Sequence, residues 1–509
     1  MSLKSSSQCH QAVITARLRK QQRHRLSYGG ILALAACWVS VPATAQQAPV
    51  PPVAANSPST DVKVGVTDLA NQPPAPTAPQ TPPAMTPEMQ AKLAKVTFGR
   101  DPALYQHFDR WREKGVTTQF PGSIDSLLGD VGGFRSWLSD RDISFEGQVG
   151  PNAVYNILDN AKGLPRAYNG QTFTLPPAGL LLKAQFGLSS AGLPNSYIGL
   201  GVSAIGWTNF PQINGKSGST QLLNAYYAQT IGDRLLVKAG YFPLLFDFAG
   251  VFTGGNPVLA SGLSGLIPVQ AGMTLPSSVT PAFELSYDLK NNLYIKGAVQ
   301  RSLNPAGLVA ATYSNPHSIK FLENSTGAKV LMVGEVGYNR PASMGTRRLW
   351  LRTGYIYNTS DYAVFGSTDK SDNQAFYILG DYQTLQPDPM LPYRGLYLGA
   401  SAQVAAENVN VISQNYELRA YWLGPTDARP TDAISLTASF NKYSQDARRQ
   451  FSGVGVRTES NQFSIGANYA YHIRPGLYAT PSIAYTVHPS FTGKYADALN
   501  VGMMATLLF

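Results

Sequence analysis

Along most of this chain, apolar and small polar residues alternate one by one. Leu293, Ile295, Gly297 and Val299 oppose Tyr294, Lys296, Ala298 and Gln300. Leu396, Leu398, Ala400 and Ala402 oppose Tyr397, Gly399, Ser401 and Gln403. Ile434, Leu436, Ala438 and Phe440 oppose Ser435, Thr437, Ser439 and Asn441, and Phe463 to Tyr471 repeats the pattern against Gln462 to Ala470. A period of two sends successive side chains to opposite faces of a strand. One face is apolar; the other carries Ser, Gln, Asn, Gly and Ala rather than the Lys and Glu of a water-facing sheet. That contrast predicts strands standing between lipid and a hydrated lumen.

The last twelve residues, ALNVGMMATLLF, fit the same rule. Leu499, Val501, Met503, Ala505, Leu507 and Phe509 share one face, and Asn500, Gly502, Met504, Thr506 and Leu508 the other. They are expected to close a barrel, because an unpaired edge in hydrocarbon leaves backbone polar groups unsatisfied. Alone, these twelve residues leave an ordinary sandwich strand open. Short turns are expected at Ile231–Arg234, Asp288–Asn292 and His472–Gly476, and longer connections at 303–328, 359–373 and 443–458. With about 46 residues per strand pair, residues 141–509 predict an all-β fold: a transmembrane antiparallel β-barrel of about 16 strands, with fourteen or eighteen still open.

Ahead of the barrel the pattern changes. Residues 1–45 read as a signal peptide, with a basic start, the apolar run Ile31–Val41 and small residues ending at Ala45. Leu34-Ala35-Ala36-Cys37 offers a rival, lipoprotein-type cut; cleavage after Ala45 is the preferred reading. Residues 46–87, with eleven prolines, are expected to be a disordered tether. Residues 88–140 are expected to hold short periplasmic helices. One starts at Pro102 under an Asp101 cap, ends before Gly115, and carries a Leu104, Phe108 and Trp111 stripe expected to dock, most simply at the periplasmic mouth, with a partner protein as the alternative.

Composition narrows the classes. Charged residues are 14% of the chain, against a usual ~25%, with 27 Tyr and 21 Phe. The formal charge is +10, but Lys4, Arg17, Arg19, Lys20, Arg23 and Arg25 supply more than half of it from the leader, so no nucleic-acid partner is expected. Both cysteines, Cys9 and Cys37, lie there too. His107, His317, His472 and His488 are widely spaced, and no zinc spacing, phosphate loop or Gly-x-Ser-x-Gly elbow stands out. No enzyme activity, metal or cofactor is expected.

Five stretches then resemble the carbohydrate-selective porins of the OprB type. They are Leu127–Phe145 (LLGDVGGFRSWLSDRDISF), Leu235–Tyr241 (LLVKAGY), Gly334–Tyr338 (GEVGY) with Leu349–Tyr357, Leu423–Ser435 (LGPTDARPTDAIS), and the tail from Tyr469 through His488-Pro489 to Phe509. Val131 stands where that family usually has Trp, and Asp142 where it has Gly. The resemblance implies a sixteen-stranded Gram-negative outer-membrane barrel that passes small neutral sugars by diffusion through a constriction. Its expected partners are those sugars, outer-membrane lipid and, through Phe509, the barrel-assembly machinery, with oligomeric state left open.

Strand parity supplies candidate lumen residues independently. If Leu349, Leu351 and Tyr355 face lipid, Arg348, Trp350 and Arg352 face inward; Glu335 follows from Val336 and Tyr338, and Glu417 and Arg419 from their own strand. Lys296 and Asp381 complete the set. Guanidinium forks and carboxylates suit the paired hydroxyls of a sugar, and Trp350 offers an apolar face. The bland alternative is charge scattered in any water-filled bore. Arg429 and Asp432 are expected to anchor a turn. Residues 243–280, with Asp247 as their one charge, are too apolar for bulk water and are expected to fold into the bore, the alternative being an extracellular loop packed on itself or on a neighbouring subunit. A polysaccharide-exporting barrel and a general anion-preferring pore remain as alternatives.

Overall fold

The computed structural model describes residues 86–109, 122–158, 172–174, 179–206, 218–249, 266–276, 278–320, 327–493 and 496–509. The expected leader, nearly all of the expected tether, Trp111 and Gly115 lie outside them.

Sixteen antiparallel strands close on themselves. The first, β1, comprises Ile143–Val149 and Asn152–Asn156, bent at Gly150-Pro151. Both halves keep one register with the last strand, pairing Gln148 with Leu508 and Asn156 with Asn500. The second, β2, likewise comprises Thr172–Thr174 and Leu180–Gly187, since both pieces pair with β1. There follow β3 (Ser196–Gly206), β4 (Gly218–Ile231), β5 (Leu235–Phe242), β6 (Thr280–Lys290) and β7 (Leu293–Arg301). Next come β8 (Val330–Arg340), β9 (Leu349–Ala363), β10 (Lys370–Gln383), β11 (Gly395–Ala405) and β12 (Ile412–Leu423). The last four are β13 (Ala433–Tyr443), β14 (Asn461–Arg474), β15 (Leu477–Val487) and β16 (Ala498–Leu508). An eleven-residue strand is about 36 Å long and, tilted by roughly 40°, rises about 28 Å, close to the apolar band of an outer membrane.

Burial follows the alternation. Leu351, Ile378, Leu398 and Leu436 are about half exposed and Leu418 more so, and they form one apolar stripe across β9 to β13. Their neighbours Arg352, Asp381, Gln403, Glu417 and Thr437 are buried inside. The tail closes the cylinder as the pattern demands, and Phe509 and Gly147 exchange both backbone hydrogen bonds, at 2.9 and 2.6 Å. Gly147 has to be small: a Cβ there would sit 2.5 Å from the Phe509 ring.

The turns diverge in part from the expectation. Gly232-Asp233 and Asn291-Asn292 have positive φ (56° and 59°, 54° and 67°), the backbone that two-residue hairpins need. The expected long connection at 359–373 is a correction: β9 and β10 stay paired to Ala363 and Lys370. Polar residues there misled because these strands outrun the apolar band and their ends stand in water. At the barrel end that carries the chain terminus, 384–394 and 424–432 are longer than a hairpin turn.

Among the described residues, seven short α-helices accompany the barrel. Helices α1 (Pro87–Thr97), α2 (Pro102–Asp109) and α3 (Phe134–Ser139) precede it; α4 (Leu244–Asp247) and α5 (Leu266–Gln270) lie between β5 and β6. Helix α6 (Leu308–Ser314) follows β7, and α7 (Gln445–Gly453) occupies the connection after β13. The Asp101 carboxylate accepts from Ala103 N at 2.9 Å, so α2 starts where expected. Its buried side chains are Tyr105 and Phe108, with Leu104 only half-buried, so the stripe is rotated from the one expected.

The segment before β1 lies across the barrel end that holds the start of β1 and the end of β16. Lys92 reaches Asp388 at 3.5 Å, and Lys95 donates to Asp427 O at 3.3 Å. Phe98 stacks on His472 with ring centroids 5.3 Å apart. The buried Asp125 carboxylate accepts from Gly476 N at 2.6 Å and from the Tyr478 hydroxyl, and lies 3.1 Å from His472 Nε2. Helix α2 meets β1 through His107 Nε2 and Ile143 O, 3.2 Å apart.

Candidate functional site

The lumen has two unlike walls. One runs from β5 to β12 and is rich in charge. On it Lys296 pairs with Glu335 at 3.0 Å across the β7–β8 register, both side chains almost wholly buried. Glu335 also accepts from the hydroxyls of Tyr294 and Tyr377, at 2.8 and 2.7 Å. Tyr294 in turn accepts from Trp350 Nε1 at 3.0 Å. The Arg352 guanidinium lies 4.2 Å from the Trp350 ring, a cation–π contact between residues two apart on one strand face. Period two places them there; β9 holds them rigid.

Farther round the wall, Arg419 Nη2 meets Asp381 at 2.7 Å, and its Nη1 meets Glu417 at 3.2 Å. The Tyr421 hydroxyl donates to Asp381 at 3.3 Å, and Tyr421 stacks on Tyr397 at 4.8 Å. Arg348 sits lower, at the entry to β9, donating to Asn339 at 3.4 Å with its guanidinium 5.5 Å from Trp350. The eight sequence candidates therefore lie on one wall. Six of them join two networks, Lys296 and Trp350 around Glu335 and Glu417 and Arg419 around Asp381, with Arg352 against the Trp350 ring and Arg348 at the rim.

Residues 243–249 and 266–276, from the connection expected to fold inward, are bonded to that wall. Arg352 Nη1 donates to Phe248 O at 2.6 Å, and Lys296 Nζ donates to Asp247 O. Gln270 exchanges two hydrogen bonds with the Ile412 backbone, at 2.7 and 2.9 Å. Asn358 donates to Ala271 O at 2.7 Å. These contacts run from β5 to β12, so the described parts of this connection lie inside the barrel against that wall. Apolar side chains make that stable: Leu244, Leu245, Phe248, Ile267 and Met273 are buried in one cluster with Phe242 and Tyr377. Gly272 (φ 98°) has no room for a Cβ, which would lie 2.3 Å from Asn358.

Sequence reasoning missed five charged residues. Lys238 pairs with Asp247 at 2.7 Å, Glu284 is buried beside them, and Lys183 and Glu146 face each other at 3.9 Å across β1–β2. Lys238 lay within the LLVKAGY stretch, where the same parity rule points it inward. Asp247 was visible only as the lone charge of an apolar segment.

The other wall, from β13 through β16 to β2, carries hydroxyl and amide groups. Ser482 is exposed, and Ser439, Ser464, Thr486, Asn500 and Gln148 are half-buried. Ser464 and Thr486 share a 3.0 Å hydrogen bond. Open water therefore borders this wall, while the charged wall is covered by the infolded segment.

Arg429 and Asp432 lie at the rim between β12 and β13. Arg429 Nε meets Asp432 at 2.8 Å, its guanidinium stands 3.9 Å from the Tyr471 ring, and Asp432 accepts from His472 N at 3.0 Å. They join one turn to the neighbouring hairpin.

A closed sixteen-stranded barrel with an apolar outside and a polar inside defines an outer-membrane porin, a channel and not an enzyme. The chain belongs to the family described as carbohydrate-selective porin, OprB family, which matches residues 199–509. Its location is the outer membrane of a Gram-negative bacterium. The fold is similar to OprB of Pseudomonas putida in its high-pH structure, with a TM-score of 0.62, 17% identity, and coverage of 76% of this chain and 98% of that one. QuiX of Acinetobacter baylyi, a protein named as a porin, is 23% identical over 220 residues, 38% of this chain and 50% of its own length. An anion-selective porin from Comamonas acidovorans matches at a TM-score of 0.42, with 11% identity over 72% of this chain and 99% of that one, too distant to carry an argument.

Proposed function

We propose that this porin passes small neutral sugars, mono- and disaccharides, by passive diffusion through a narrowed, charge-balanced bore. One observation carries the reading: a covered wall of interlocked charges faces an open wall of hydroxyls and amides. On the charged wall Lys238, Lys296, Arg352 and Arg419 interleave with Asp247, Glu284, Glu335, Asp381 and Glu417, and on the other wall Lys183 faces Glu146 among the hydroxyls and amides. Paired charges in a low-dielectric wall leave no strong field of either sign, so ions gain little and neutral solutes lose little. The hydroxyl wall exchanges hydrogen bonds with a sugar one for one as the sugar sheds water. Arg352, Trp350, Lys296, Glu335, Arg419, Glu417 and Asp381 then act by fixing the infolded segment and the bore width. Arg348 stands at the terminal, periplasmic mouth, where it can meet a solute directly. Helices α1 to α3 lie on that same periplasmic side.

Swelling of liposomes containing the purified protein tests the proposal. Monosaccharides should drive swelling fastest, disaccharides more slowly and larger oligosaccharides not at all. Swelling no faster than in protein-free liposomes with any sugar would end it.

A further inference from the structure

The segment linking the mouth-covering helices to β1 presents an apolar face that none of the described residues covers. Val131 is 71% exposed, Leu128 49%, and Phe134 and Trp137 each 47%. The opposite face is occupied: Leu138 and Arg135 are buried, and the Arg135 guanidinium lies 4.7 Å from the Phe108 ring and 5.5 Å from Tyr105. So α3 is anchored on one side and bare on the other. In water such a cluster of large side chains would be costly.

Its position says what covers it. Phe134 stacks on Trp137 at 6.4 Å and meets Phe145 edge-on at 6.4 Å. Phe145 in turn lies 6.4 Å from Phe509, on the outer face of the wall. The exposed face is thus continuous with the lipid-facing surface, at the rim where strands leave the membrane. Arg141 sits with its guanidinium 4.4 Å from the Trp137 ring and donates to Trp137 O at 3.1 Å. An amphipathic ring with a cation at its edge suits the headgroup level of a bilayer. Asp140 and Asp142 flank it, so an apolar fit and not net charge sets the contact.

We propose that Leu128, Val131, Phe134 and Trp137 form a foot that lies in the headgroup region of the phospholipid leaflet around the barrel. The foot fixes the depth of the terminal mouth in the membrane and, through Arg135 and α2, steadies the helices across that mouth. This rests on the barrel's insertion in a bilayer and is independent of what the bore conducts.

The test uses the full barrel in phospholipid vesicles, comparing wild type with Trp137→Phe. Unchanged heat-modifiable gel mobility shows that both are folded. The difference in tryptophan emission isolates Trp137. It should be blue-shifted, and quenched more by lipids brominated near the carbonyl than by lipids brominated near the chain end. A red-shifted difference quenched by aqueous iodide would overturn the proposal. So would a difference quenched by neither agent, which would mean that protein covers the ring. Val131→Asp supplies a second reading, and should shift Trp137 emission to the red while the barrel remains closed.

Discussion

Glu335 shows how much one lumen side chain can hold. It is buried, paired with Lys296 and bonded to two tyrosines, so its removal leaves a buried ammonium without its acid. Glu335→Ala is predicted to destabilise the barrel by about 3–5 kcal/mol, read from urea unfolding in lipid, with part of the loss recovered by adding Lys296→Met. Equal stability of the single variant and wild type would show that the network does not brace the wall. Gly476 makes a different point. Its φ is 73°, and a Cβ would lie 2.0 Å from Leu127 N and 2.5 Å from Leu508 O. Gly476→Ala should therefore separate the N-terminal segment from the β14–β15 turn and the end of β16, seen as protease cleavage near residue 127 in variant protein only. At this scale the sequence was readable wherever period two applied, because facing depends only on parity. Which acid meets which base was not readable: Lys238 and Asp247 are near in sequence, but Arg419 and Asp381 are 38 positions apart.

Two elements were legible for different reasons. The connection between β5 and β6 was readable as inward-folding because it is long, apolar and nearly uncharged; its anchor points were not, since they depend on distant strands. Gln270 joins α5 to β12 by two hydrogen bonds. Gln270→Ala is expected to loosen that attachment and raise single-channel conductance without unfolding the barrel; unchanged conductance would mean that this segment does not set the bore. Helix α3 carries a pH-sensitive cap. Asp130 accepts from Arg135 N at 2.6 Å, Ser136 N at 3.0 Å and the Ser136 hydroxyl at 2.5 Å. The Ser136 hydroxyl, then the backbone N–H groups, hold its carboxyl below the ordinary 3.8. A lowered folded value stabilises the helix fully above the unfolded value and loses that contribution as pH falls through the folded one. Trp137 emission should therefore change below about pH 4 in wild type. Asp130→Asn should lack this transition, and its persistence there would assign it to another group.

At the level of the whole molecule, the alternation over 141–509 was enough to define a closed barrel. Lipid outside and water inside impose opposite demands on successive residues, and the chain meets them strand after strand. The docking of the described residues of 86–109 and 122–140 across one mouth was only partly legible. A short amphipathic helix announces that it packs, but Lys92, Phe98 and Asp125 meet partners hundreds of positions away. The balance of charge inside is likewise a property of the assembled wall.

That balance is the central claim, and transport of matched sugars tests it most directly. Swelling rates should be measured with glucose, glucosamine and glucuronate, which have nearly the same size and differ in charge. The neutral sugar should enter at least as fast as either charged one, and the two charged sugars at similar rates. Rapid entry of glucuronate with little entry of glucose would contradict the account and mark the channel as an anion pore.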